Sequence, residues 1–357
     1  MPEFKPFLKK MISLPGLTAY EDPVREAIAE AWKPLVDELT VSRVGSLHGL
    51  KKGTGPEPRP KILLAAHMDA IGLMVTGISK GGFLRFFRVG GVDPRILPGT
   101  PVTVHATKSG EERALPAVVV QPSDALLPKS LRGKPVKMEY LFIDTGLEQA
   151  EVEALVRVGD LVSFATQPLD LAGDVIAGHS LDNRASVAAV TLCLEQLQKV
   201  NHAWDVYAVA TVQEEETLMG GFTSPYAIEP QLAVAIDVTH AKGPGASDWR
   251  TVPMGKGFVF TVGPNGHPAL FNAMRETADK AEMAYTTEVY GFASGTDAMG
   301  LQIVNEGIPS MVISIPLRYM HTPVEVVAYK DITRTGSLLA QFIAGLEPDF
   351  MDTIKYE

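Results

Sequence analysis

Residues 205–219 read DVYAVATVQEEETLM, and the way this stretch is parsed decides the fold. Residues 206–212 are apolar, rich in β-branched and small side chains, and read as a buried strand. The run stops at Gln213 and gives way to three carboxylates, Glu214, Glu215 and Glu216. In open α/β sheets, ligands bind just beyond the carboxyl ends of the strands. Carboxylates gathered there are costly unless a cation or a proton compensates them. Taken alone, the run also fits a solvated loop or the acidic first turn of a helix. Partners elsewhere in the chain must decide between these readings.

Composition narrows the class. The 357 residues suffice for one large or two ordinary domains, and 46% hydrophobic content supplies a sizeable core. A net charge of −10 and a pI near 5.4 argue against nucleic acid or an anionic membrane as the main partner. The single cysteine, Cys193, lies in an apolar helical pattern. It excludes an intramolecular disulfide framework and a cysteine-rich zinc site, and is expected in the core. The start, MPEFKPFLKKM, shows no signal peptide, and no apolar run approaches the ~20 residues of a membrane span. A soluble, cytoplasmic protein is expected.

Working outward, Asp22-Pro23 marks a helix start, and apolar spacing predicts a helix over 24–39 with a kink or break at Pro34. Residues 53–60 are a loop, and 62–66 a short buried strand that ends on His67-Met68-Asp69. From 71 to about 166, short runs alternate with Gly and Pro, which predicts a β-rich unit with one helix at 148–156. Beyond 174 strands and helices alternate: helix 184–200, the strand quoted above, strand 232–236 ending on Asp237, strand 257–262, helix 268–282, strand 310–315 before a loop with His321, and helix 332–346. The expected fold is α/β, a mixed sheet flanked by helices. Residues 1–67 and 170–357 form it, and a β-rich domain, 68–169, is inserted right after His67.

His67, Asp182, Glu215, Asp237 and His321 lie near predicted strand ends or in loops. Imidazole and carboxylate without thiolate suit Zn²⁺, Co²⁺ or Mn²⁺. The set is larger than one catalytic zinc takes, about three protein ligands plus water. It fits two metals about 3.5–4 Å apart that share a carboxylate. Asp182, in SLDNR at the mouth of a helix, is a reasonable bridge. Asp69, two residues after His67, can accept the far ring N–H and fix its tautomer. Glu214, beside the ligand Glu215, is the natural general base for water. Each residue also has an ordinary reading: Asp182 as a helix cap, Asp237 and His321 as loop residues, His67 as a surface or core histidine. The case rests on their joint occurrence in one α/β framework.

These residues carry a resemblance. The segments AHMDAIGLMV (66–75), GHSLDNR (178–184), VQEEE (212–216), AIDVT (235–239), GKGF (255–258), SGTDA (294–298) and ISIPLRYMHTP (313–323) follow the order found in the tetrahedral-aminopeptidase family, which the sequence resembles over most of its length. That family includes deblocking and glutamyl aminopeptidases and some members labelled endoglucanases. The resemblance implies a di-zinc exopeptidase fold with an inserted barrel-like β domain. It implies His67, Asp182, Glu215, Asp237 and His321 as ligands, Asp182 bridging, Glu214 as base, and a cis peptide bond after Asp182. It also implies subunit contacts through the insert and a homododecamer or dimer. The sequence departs from the family pattern at Ala70, where Glu is usual, and at 216–221, ETLMGG in place of a Val-Gly-Leu-Arg-Gly-Ala run. Neither removes a ligand or the base, but both bear on the substrate pocket.

The expected function is a metal-dependent aminopeptidase that removes N-terminal residues from peptides through a metal-bridging hydroxide. Rival expectations are a di-metal amidohydrolase acting on N-acyl amino acids or small amides, a metal-free glycoside hydrolase, and an inactive metal-stabilised scaffold.

Overall fold

In a computed structural model, residues 4–135, 137–246 and 249–355 are described. The chain forms two units. One comprises Met1–Asp69, Pro168–Met320 and Glu325–Glu357; the other comprises Ala70–Gln167 and His321–Val324.

The first unit is built on an eleven-stranded mixed sheet. At its centre Asp205–Thr211, Lys61–His67, Leu232–His240 and Ser310–Arg318 lie side by side, all parallel. Their sequences are near-continuous apolar runs because both faces are covered. Register pairs Thr211 with His67, so the quoted strand and the strand bearing the first histidine end together at one edge. Antiparallel strands extend the sheet: Leu47–Lys51 and Glu38–Val41 on one side, and Glu325–Ala328, Val175–Gly178 and Leu169–Leu171 on the other. Phe258–Val262 pairs antiparallel with Ser310–Arg318, and Tyr285–Val289 pairs parallel with Phe258–Val262.

The helix Leu181–Leu197 packs across the central strands and against Tyr329–Ala344. It is buried almost throughout, Cys193 included, so its sequence shows little amphipathic contrast. Trp32, on helix Asp22–Trp32, is wholly buried and donates its indole N–H to Thr191 Oγ1 at 2.8 Å.

Three expectations need correcting here. The helix predicted over 24–39 ends at Trp32, and Leu39 belongs to the edge strand Glu38–Val41. Pro34 cannot continue the helix, and the apolar positions beyond it face the sheet instead. The strand predicted at 232–236 runs on to His240, held by parallel pairing along its length to Ser310–Arg318. Asp237 therefore stands inside a strand rather than past its end. The helix predicted from 184 begins earlier, at Leu181.

The GKGF segment shows why its second glycine is there. Gly257 has φ +113°, and a Cβ built on it would lie 1.8 Å from the Ala284 carbonyl oxygen. Its N–H donates to Asp331 Oδ1 at 2.8 Å. Gly257→Ala is expected to destabilise by about 3 kcal/mol or more, because both the backbone angle and the backbone contact forbid a side chain. Chemical denaturation, read as a fall in midpoint, checks this.

The second unit is a closed barrel. Its strands run, in closing order, Gly72–Ile78, Leu84–Val89, Phe142–Asp144, Arg113–Val120, Pro101–Ala106 and Leu161–Phe164. Alternate side chains such as Leu73, Val75, Val104 and Val162 fill the interior. Gln149–Leu155 is its helix, opened by a capping box between Glu148 and Glu151. The α/β framework with a β-barrel insert is the architecture expected from the sequence.

Candidate metal centre

The site lies at the carboxyl edge of the central strands. His67, the last residue of Lys61–His67, is 2% exposed. Its Nε2 stands 3.2 Å from Asp182 Oδ1, 3.6 Å from Glu214 Oε2 and 3.8 Å from Asp237 Oδ1. His67, Asp182 and Asp237 each offer a ligand atom within 4.8 Å of the others, and all three are buried.

Asp182 is placed by an interruption at the mouth of its helix. Asp182 and Asn183 have non-helical angles, and the peptide bond between them is cis. Asn183 Nδ2 donates to the Ile236 carbonyl at 2.8 Å, and Ser186 Oγ to that of Asp237 at 3.2 Å. The helix mouth is thus tied to the strand carrying Asp237. The Asp182 N–H donates to Glu325 Oε2 at 3.0 Å. Asp182 is not an N-cap: Ser180 holds that position, in a left-handed conformation.

After Thr211 the chain turns through Gln213 into the short helix Glu214–Thr217. Asp69 spans the gap. Its Oδ1 accepts the Glu214 N–H at 3.0 Å and its Oδ2 the Glu215 N–H at 3.2 Å. Thr18 Oγ1 donates to Oδ2 at 2.7 Å, and Oδ1 stands 3.4 Å from His67 Nδ1. His321 opens the segment His321–Val324, grouped with the second unit, at φ +61°. Within that unit its ring lies against Gly91, where a Cβ would meet Nδ1 at 2.4 Å.

The electrostatics reflect crowding. Burial pushes the Glu214 carboxyl well above the ordinary range; His67 opposes this and Asp237 and Asp297 add to it. Burial does the same to Glu215, reinforced by Asp182. Asp237 is pushed up to about 7 and Asp297 to about 6, both chiefly by burial. Burial disfavours charge on His67, yet Glu214, Asp182 and Asp69 outweigh it and raise the imidazole well above its usual value. Arg184, wholly buried nearby, directs its donors to the carbonyls of Met68, Met11, Leu14 and Gly16. One imidazole cannot neutralise this many buried carboxylates. Nitrogen and oxygen donors without sulfur, crowded around a common point and short of positive charge, fit divalent metal.

Several residues around the site were not singled out from sequence. Thr18 and Glu21 come from the loop before Asp22–Trp32, and Glu325 opens the strand Glu325–Ala328. Asp297, which accepts from Thr211 Oγ1 at 2.5 Å, lay in the SGTDA segment without an assigned role. That segment was the only signal pointing to any of them.

Comparison with known proteins agrees with this geometry. Residues 45–338 match the M42 glutamyl aminopeptidase family model. The chain is 35% identical over 345 residues to lysyl aminopeptidase of Pyrococcus furiosus, covering 96% of this chain and 97% of that one. Its fold superposes on the TET aminopeptidase of a marine-sediment Thaumarchaeota archaeon with a TM-score of 0.92, at 27% identity and 99% coverage of both chains. It superposes on the TET1 peptidase of Pyrococcus horikoshii with a TM-score of 0.82, at 29% identity, covering 96% of this chain and 100% of that one. That protein is described as able to assemble into a tetrahedron or a large octahedral shell.

The fold and the donor cluster define a peptidase-type hydrolase. The chain belongs to the M42 glutamyl aminopeptidase family. Among the described residues, no helix is long and apolar enough to cross a membrane.

Proposed function

We propose that this protein is a two-metal aminopeptidase that releases N-terminal residues from peptides with a free α-amine. The observation that carries the reading is Glu214 and Glu215 side by side on one short helix, with Glu214 3.6 Å from His67 Nε2. One carboxylate is available as a ligand and its neighbour as a base.

In this reading His67 and Asp237 would hold one ion, and Glu215 and His321 the other. Asp182 would serve both, the bridging role that the resemblance implies for it. The ions, zinc by donor preference with cobalt or manganese as substitutes, supply Lewis acidity and make water acidic enough to lose a proton near neutral pH. Glu214 takes the proton from the attacking water and returns it to the leaving amine nitrogen. Asp69 anchors the backbone of Glu214 and Glu215 and, 3.4 Å from His67 Nδ1, is placed to fix the tautomer of the ring. The inserted barrel mediates self-association, to a homododecamer or dimer. The Pyrococcus horikoshii relative's shell assembly supports self-association.

Hydrolysis of aminoacyl anilides, each with a free and an acetylated amine, tests the activity. Cleavage confined to free amines is expected, lost on chelation and restored by zinc. Cleavage of the acetylated set would make the protein an amidohydrolase, and no cleavage when metal-loaded would make it a scaffold. Chelation is also expected to lower the melting temperature. An ion at 100 times its dissociation constant contributes about 2.7 kcal/mol to stability.

A further inference from the structure

The helix that carries the proposed base is only four residues long, Glu214–Thr217. A single turn has no persistence of its own, because nucleation fixes several dihedrals for one hydrogen bond. It is bounded by Gln213 at φ +57° and Leu218 at φ +54°, both left-handed. Something outside the turn must hold it, since the aim of Glu214 depends on it.

Two buried carboxylates do so. The consecutive N–H groups of Gln213, Glu214 and Glu215 would be orphan donors at the start of a helix. Asp69 accepts the second and third, as described above. Glu21 Oε1 accepts the first, from Gln213, at 3.1 Å, across 192 positions of chain. The same oxygen accepts the Ala19 N–H at 2.8 Å. The loop that presents Glu21 is itself fixed, by the Thr18 bond to Asp69 and by the Arg184 guanidinium on the Leu14 and Gly16 carbonyls.

The ordinary reading of Glu21 is an N-cap, since it stands at that position for Asp22–Trp32. Its side chain makes no cap bond. The carboxylate turns away from its own helix, is 4% exposed and sits in the field of Asp69. Burying an acidic group beside another is unfavourable, and its visible return is the hold on Gln213.

We infer that Glu21 is a positioning residue for the reaction: by accepting the Gln213 N–H it fixes the turn and with it the direction of Glu214. The inference rests on the role proposed for Glu214. Two variants separate reach from charge. Glu21→Gln keeps an acceptor oxygen at the same reach, and Glu21→Asp keeps the charge but falls one methylene short.

Both are compared with wild type in the metal-loaded full chain. The readouts are amide hydrogen exchange over 213–217, metal content, and kcat and KM on a free-amine anilide. Glu21→Asp is expected to speed exchange at the turn about ten-fold and to lower kcat about ten- to hundred-fold, the cost of a small misplacement, with KM and metal content within about two-fold of wild type. Glu21→Gln is expected to stay within about three-fold of wild type in every readout.

A protected turn in Glu21→Asp would overturn the inference, as would Glu21→Gln being the more impaired of the two. A loosened turn with unchanged kcat would overturn it as well. Exchange reads the turn without turnover, so the hold on Gln213 is tested separately from the role of Glu214.

Discussion

Glu214→Gln is expected to lower kcat by about a thousand-fold while metal content stays at the wild-type level. The substitution keeps size and shape. The turn is held through backbone N–H groups bonded to Asp69, so the amide sits where the carboxylate sat. What it lacks is the capacity to take a proton. Burial and neighbouring carboxylates push the Glu214 carboxyl above its ordinary range, the direction that favours taking up a proton. KM for a free-amine anilide should change little, because the lost interaction belongs to the transition state. Metal analysis decides the alternative: a variant that loses an ion would make Glu214 a ligand, and the base would have to be sought elsewhere.

Asp182→Ala is expected to remove both ions. In the proposed assignment Asp182 serves both ions, and without it each would be left with two protein ligands, too few for a catalytic zinc. Asp237→Ala should remove one ion and leave the other. Elemental analysis after gel filtration distinguishes the two patterns. Wild-type stoichiometry in Asp182→Ala would remove it from the bridge. Turnover should vanish in both variants, so metal content is the discriminating measurement. The Asp182 backbone is held by Glu325 and its neighbour Asn183 by the Ile236 carbonyl, so the helix mouth keeps its path when the side chain is cut.

What was legible in the sequence was what one element displays by itself. The strand that runs into Glu214 is continuous and apolar because it is buried on both faces, and His67 ends its parallel neighbour in the same way. The alternation of short runs with Gly and Pro announced a β-rich insert, and the family resemblance its barrel-like form. The strand before Asp237 was read, but it was ended at Asp237 when it runs on. The extra residues to His240 are held by pairing with Ser310–Arg318, a partner some 80 positions away. Glu21 was invisible for the same kind of reason. Its neighbours Asp22 and Pro23 read as an ordinary helix start, and the group it serves is distant in the chain. Arg184 carried a motif but no reading, since its partners are backbone carbonyls, which a sequence does not distinguish. The helix end at Trp32 was missed because apolar spacing continued past Pro34 into a strand with its own reasons for being apolar.

The closure of the barrel bears on how the chain folds. Pairing of Lys61–His67 with Asp205–Thr211, on which the sheet is centred, requires the ends of a long stretch of polypeptide to meet. Within the insert, its first strand pairs with its last, Leu73 opposite Val162. Once the barrel has formed, most of the intervening chain no longer contributes to the search. The remaining closure is cheaper by about 1 kcal/mol, or several-fold in rate, on the logarithmic dependence of loop entropy on length. An insertion into the middle of a sheet thus behaves, kinetically, as a short connection, provided it folds first. Substitutions that destabilise the barrel alone are then expected to slow assembly of the sheet, and with it the gathering of the candidate metal-binding side chains, even though those side chains are untouched.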